Sequence, residues 1–161
     1  MQFTVYGKPI TQGSKIRTRW AMRADNGATL DPWRDNVRSR ALVALALSEP
    51  FKADPVSVQI TFTFARPANH FGTGRNSDTV KASSPPFPSS HSVGDIDKLV
   101  RACLDSITDS GIWADDSQVV GLMAHKVWLG ELLALDRPGA VIDIMSADVR
   151  SESYAREVAA S

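Results

Sequence analysis

Val56, Val58, Ile60, Phe62 and Phe64 stand at every second position of one segment, and this alternation limits what the chain can become more than any other feature. A period-two apolar pattern predicts a β-strand with one greasy face, and that face must be covered. The cover is legible further on. Leu99, Val100, Cys103, Leu104 and Ile107 recur at spacings of three and four after Ile96, which predicts an amphipathic helix that stops before Gly111. A second helix is expected from about Pro32 to Leu47, with Asp31 as N-cap, Pro32 at the first helical position and Val37, Ala41, Ala44 and Leu45 on one side. Phe3 and Val5, with Ile10 beyond Gly7, predict a short first strand closing at Pro9. Val119 to Trp128 and Ala140 to Ile144 predict two more strands, joined through a turn near Asp136-Arg137-Pro138-Gly139. The order β-α-β-α-β-β implies an α+β fold, a small mixed β-sheet with two main helices packed on it.

Two segments fall outside this pattern. Gln12 to Leu30 reads as a long basic loop. Ala65 to Val93 holds Arg66-Pro67, Gly72-Thr73-Gly74, Pro85-Pro86, Pro88 and six Ser, a composition that excludes regular structure. Loops of about thirty residues are usually functional or disordered.

With 161 residues, the chain suits one domain, expected over 1–145 with a polar, weakly helical tail at 146–161. Its longest unbroken apolar run, Ala41 to Leu47, is too short for a membrane span, and Met1 to Pro9 lacks a basic-then-apolar leader. A single Cys103 rules out an internal disulfide and suits a reducing cytosol, so a cytoplasmic location is expected. Cys103 lies on the apolar side of its helix with no His at a partner spacing, so it reads as core.

The formal net charge of zero hides an asymmetry. Residues 1–40 carry eight Lys and Arg against three Asp, a surplus of five positive charges, so the rest of the chain carries five net negative ones. Gly94 to Asp116 alone holds six Asp against Lys98 and Arg101. A basic arm beside an acidic focus suits a protein that grips a polyanion and holds divalent cations. Ordinary solvated surface has the same composition.

Asp95-Ile96-Asp97 is the first candidate site. Residues two apart face one way in an extended segment but diverge by about 200 degrees in a helix, so a shared cation requires Asp95 to precede the helix. Helix N-capping by either Asp is the alternative. Asp115-Asp116, inside Trp113-Ala114-Asp115-Asp116-Ser117-Gln118, is the second, and it can approach Asp97 only if the next strand runs back beside the helix N-terminus. Arg101 follows Asp97 by one helical turn and can neutralise a carboxylate or a phosphate; a surface ion pair is the alternative. Gly72-Thr73-Gly74 lacks the third glycine of a dinucleotide fingerprint and reads as a turn or a phosphate-gripping loop. His70, His91 and His125 are too scattered for a zinc pattern, and Trp33 and Trp113 read as packing anchors. Trp20, between Arg19 and Arg23, is the one aromatic that stands as a candidate for stacking on a nucleic acid.

Taken together, Gly94-Asp95-Ile96-Asp97-Lys98-Leu99-Val100-Arg101-Ala102, Leu104-Asp105-Ser106-Ile107-Thr108 and Trp113-Ala114-Asp115-Asp116-Ser117-Gln118-Val119 resemble the signature of the RusA family of Holliday junction resolvases. Gly7-Lys8-Pro9-Ile10, Gln12-Gly13-Ser14-Lys15 and Phe71-Gly72-Thr73-Gly74-Arg75-Asn76 resemble the form found in phage and actinobacterial members. The resemblance runs from the first strand to about Trp128. It implies a RusA-like fold and a homodimeric endonuclease that makes paired cuts in branched DNA, chiefly four-way junctions. The implied cofactor is Mg²⁺, with Mn²⁺ as a substitute, and the implied setting is a bacterial cell or a phage-infected host.

Carried over position by position, the family's essential acids fall on Asp95, Asp97 and Asp116, with Asp115 as a neighbouring candidate ligand, and its basic residue falls on Arg101. Lys98 stands where many members have Asn, and Arg replaces Lys at 101. The expected DNA-binding residues are Lys8, Lys15, Arg17, Arg19, Arg75 and Lys98. Two rivals stand beside this reading. One is a junction-binding protein of the same fold that does not cut, which the residues at 98 and 101 allow. The other is an Asp-x-Asp glycosyltransferase, for which a chain of this length leaves little room for a nucleotide-binding half.

Overall fold

The segment Val56–Phe64 becomes an inner strand of a four-stranded sheet, because every side chain on its alternating apolar face is sealed from water. In chain order the elements are β1 (Gln2–Tyr6), β2 (Lys15–Arg17), β3 (Met22–Ala24), α1 (Gly27–Leu45), β4 (Val56–Phe64), α2 (Ile96–Thr108), β5 (Val119–Trp128) and β6 (Gly139–Ser146). The computed structural model describes residues 1–13, 15–17, 22–24 and 27–147, with the backbone alone at 15–17 and 22–24. The expected tail lies outside the described residues except for Ser146 and Ala147.

The sheet runs in the order β1-β6-β4-β5. β1 and β4 both pair antiparallel with β6, while β5 lies parallel to β4, from Val56 opposite Val119 to Phe64 opposite Trp128. Parallel neighbours need a crossover, and here it is the long loop followed by α2. The mixed α+β architecture of the sequence reading is thus observed.

Both helices contribute to one core with the sheet. α1 buries Leu30, Trp33, Val37, Ala41 and Ala44, and α2 buries Leu99, Val100, Ala102, Cys103, Ser106 and Ile107. Burial pushes the Cys103 thiol up to about 12, so this sulfur is a packing group. Trp33 and Trp113 are 2% exposed, in keeping with their reading as anchors, and Trp113 Nε1 donates to Thr108 Oγ1 at 2.7 Å. Arg34 of α1 pairs with Asp109 beyond α2 at 2.9 Å.

Two expectations are corrected. α1 starts at Gly27, not Pro32, because Leu30 continues the buried stripe one turn earlier, and Pro32 sits inside the helix. The basic loop over Gln12 to Leu30 contains the antiparallel pair β2–β3 and the first turn of α1. Thr61 and Thr63 are buried, and Thr63 Oγ1 accepts from the Leu135 backbone N–H at 3.0 Å, because the turn after β5 reaches back across the sheet.

The loop 65–93 has only two single turns of 3₁₀ helix, Ala68–His70 and Gly74–Asn76, and one bridge between Phe71 and Val80. It is pinned to the end of β5. Pro85 O accepts from Trp128 Nε1 at 3.1 Å and from Arg66 Nη1 at 3.2 Å, and the Arg66 guanidinium lies 5.3 Å from the Trp128 ring centroid. Arg66 also pairs with Glu131 at 2.8 Å, and His70 meets Trp128 edge-on. No described helix is long and apolar enough to cross a membrane.

Candidate metal and phosphate site

Asp95 has φ −79° and ψ 138°, so it is extended and precedes α2, which is the condition a shared Asp95–Asp97 site requires. It occupies the N-cap position without making a side-chain capping bond. Its carboxylate instead meets Lys98 Nζ at 2.8 Å, and that hydrogen bond, with the charge behind it, holds the Asp95 carboxyl below its ordinary value of 3.8.

Asp97 lies in the first turn of α2 and Arg101 one turn later on the same side. Both line an open groove of about 430 Å³ between α2 and β5. Ile96, Val100 and Leu104 complete the helix wall, Leu122 and Ala124 form the strand wall, and Asp116 enters from the 3₁₀ turn Asp116–Gln118. β5 does run back along α2, but Lys126, late in the strand, is what reaches the helix start, where Nζ donates to Gly94 O at 3.0 Å. Asp116, at the head of the strand, therefore joins the groove from the side of the later helical turns.

Asp115 is otherwise engaged. Its Oδ1 accepts from the Ser117 backbone N–H at 2.9 Å, while Gln118 Oε1 accepts from the Ala114 and Asp115 N–H groups, a capping box that closes the turn. The Ser117 hydrogen bonds hold the Asp115 carboxyl below its ordinary value. Neither Asp95 nor Asp115 is part of the groove wall.

The structure thus sets Asp97, Arg101 and Asp116 on the wall of one groove and turns Asp95 and Asp115 to other partners. Among the described residues, no three His, Cys, Asp or Glu side chains form a group that could hold a metal ion. The donor chemistry of the groove still fits a hard divalent cation. Asp97 and Asp116 offer carboxylate oxygens only, and Mg²⁺ is commonly bound through one or two carboxylates, with water and phosphate oxygens in its remaining positions.

Of the expected DNA contacts, Lys8 and Arg75 are exposed, Arg75 on the single turn Gly74–Asn76. Lys98 is exposed and paired with Asp95. Lys15 and Arg17 lie in β2, with their side chains outside the described residues, as are Arg19 and Trp20 altogether. The sequence reading missed Lys126. Its signal was present, since a lysine two residues after Ala124 in an alternating strand faces the same way as Leu122 and Ala124.

A family model described as endodeoxyribonuclease RusA matches residues 7–144. No curated protein matches the chain. The family match supports an endonuclease that resolves Holliday junctions and acts in recombination, and nucleases of this family generally depend on a divalent metal. The match runs from the turn after β1 to β6 and takes in both helices and the whole groove, so the chain belongs to the RusA family of endodeoxyribonucleases.

Proposed function

We propose that this protein resolves four-way DNA junctions, and related branched DNA, by paired metal-dependent phosphodiester cuts made as a homodimer. The observation that carries the reading is the convergence of Asp97, Arg101 and Asp116 on one groove inside the family match. Asp97 and Asp116 would hold the metal, Mg²⁺ with Mn²⁺ as a substitute. Asp95 would join them on leaving Lys98, and Asp115 is the neighbouring acid. A bound cation of this kind supplies charge neutralisation at the scissile phosphate and a water of lowered pKa.

The chain's own residues do the rest. The Arg101 guanidinium stabilises the negative charge that builds on the phosphate as water attacks, acting as an electrostatic partner and not as a proton donor. The carboxylates orient the attacking water. Lys8, Lys15, Arg17, Arg19 and Arg75 grip the DNA backbone, with Lys98 turning from Asp95 to a phosphate. A two-fold dimer presents two identical sites to a junction that is itself roughly two-fold, which accounts for paired cuts. The reading carries with it a cytoplasmic location, where such an enzyme would meet its DNA.

The Lys98–Asp95 ion pair favours one rival, a protein that binds junctions without cutting them. Incubation with a labelled four-way junction across a series of Mg²⁺ and Mn²⁺ concentrations separates the two. Nicks that appear with metal support the resolvase, and retention of the junction without nicks at every concentration establishes the rival.

A further inference from the structure

Gly94 is the hinge on which the acidic segment turns. Its φ is +88°, a left-handed conformation that favours glycine, and a Cβ there would collide with Thr11 Cγ2. Asp95 follows directly, and its carbonyl accepts from the Leu99 N–H at 3.1 Å, opening α2. The Gly94 carbonyl is held by Lys126, whose part-buried Nζ reaches it at 3.0 Å from β5. Lys126 shares its side of β5 with Leu122 and Ala124, which wall the groove. One ammonium therefore ties the peptide before Asp95 to the strand that forms the opposite wall.

We propose that Lys126 is a positioning residue for metal binding: by holding the Gly94 carbonyl it sets how the chain passes through Asp95 into α2, and so how the first turn that carries Asp97 faces the groove. The inference rests on the resolvase reading. Positioning and plain electrostatics predict opposite signs. A lysine near a cation site repels the cation, so its removal should tighten metal binding if charge alone mattered. Loss of a group that orients the ligands should weaken it, typically by about 10- to 100-fold.

The test is calorimetric titration of Mn²⁺ into the full-length protein and its Lys126→Met and Lys126→Arg variants, beside thermal melts and junction affinity measured in Ca²⁺. Lys126→Met is expected to weaken Mn²⁺ binding by about tenfold with unchanged junction affinity, and Lys126→Arg, which keeps a charged donor, to recover most of the loss. Lys126→Gln, polar but too short to reach Gly94, should reproduce the weakening if Met disturbs the fold. Mn²⁺ binding equal to or tighter than wild type in a folded Met or Gln variant overturns the inference while leaving the resolvase intact. A wild type that neither binds Mn²⁺ nor nicks a junction overturns the resolvase reading and this inference with it.

Discussion

Gly94 and Thr11 are packed so closely that position 94 has no room for a side chain. The Gln12 N–H, next along, donates to the Lys98 carbonyl at 3.0 Å, so the strap that leads from β1 toward the basic β2–β3 pair lies against the first turns of α2. The basic arm and the acidic focus, separate in sequence, are mechanically joined here. Gly94→Ala should lower the melting temperature and sharply reduce junction cutting, since it adds both a steric clash and a left-handed penalty of about 1–2 kcal/mol. Thr11→Ala in the same chain should recover part of the melting temperature by removing the clash alone. A Gly94→Ala loss of the same size in the Thr11→Ala background as in the wild type would show that the contact with Thr11 carries none of the cost.

The long loop is expected to behave as an ordered part of the molecule. Arg66 and Trp128 both hold the Pro85 carbonyl and stack on each other, and a cation over an indole contributes about 0.5–2 kcal/mol beyond its hydrogen bonds. Arg66→Ala should leave the core intact and speed limited proteolysis between Phe71 and Val93 several-fold. Equal cleavage rates in the two proteins would mean that the loop is held by something other than this cluster.

Asp115 gives a pH-dependent signature. Its carboxyl is depressed below the ordinary 3.8 by its bonds to Ser117, so its stabilising contribution is complete above that value and is lost as pH falls through the lower folded-state value. Asp115→Ala should melt below wild type at neutral pH, and the gap should close as the pH drops below about 4. A gap that stays unchanged well below pH 4, where the carboxylate takes up its proton in both states, would remove the capping role.

Where the sequence pattern was strong, the fold followed it. The alternation at Val56 to Phe64 and the helical spacing from Leu99 to Ile107 both describe surfaces buried on one side, and burial is what such periods record. The start of α1 was misplaced because Asp31-Pro32 is a good local start signal, overridden by the burial of Leu30. The pair β2–β3 was missed because its strands have three residues each, too few to show a period. At the site, spacing alone joined Asp97 to Arg101, while Asp116 needed the fold, since no local pattern says which side of α2 the turn before β5 packs against. The partners of Asp95 and Asp115 were equally hidden, since both are set by side-chain hydrogen bonds of the folded chain.

The proposed resolvase activity turns on whether the groove between α2 and β5 cuts DNA junctions with the help of Asp97. The most direct measurement is denaturing-gel mapping of nicks in a four-way junction and a matched linear duplex, with and without Mg²⁺, for wild type and Asp97→Asn. Symmetric, Mg²⁺-dependent nicks are expected in the junction only, reduced by at least about 10²–10³-fold in the variant while junction binding persists. Full cutting activity in Asp97→Asn, or wild-type nicks that ignore metal, would contradict the proposed activity.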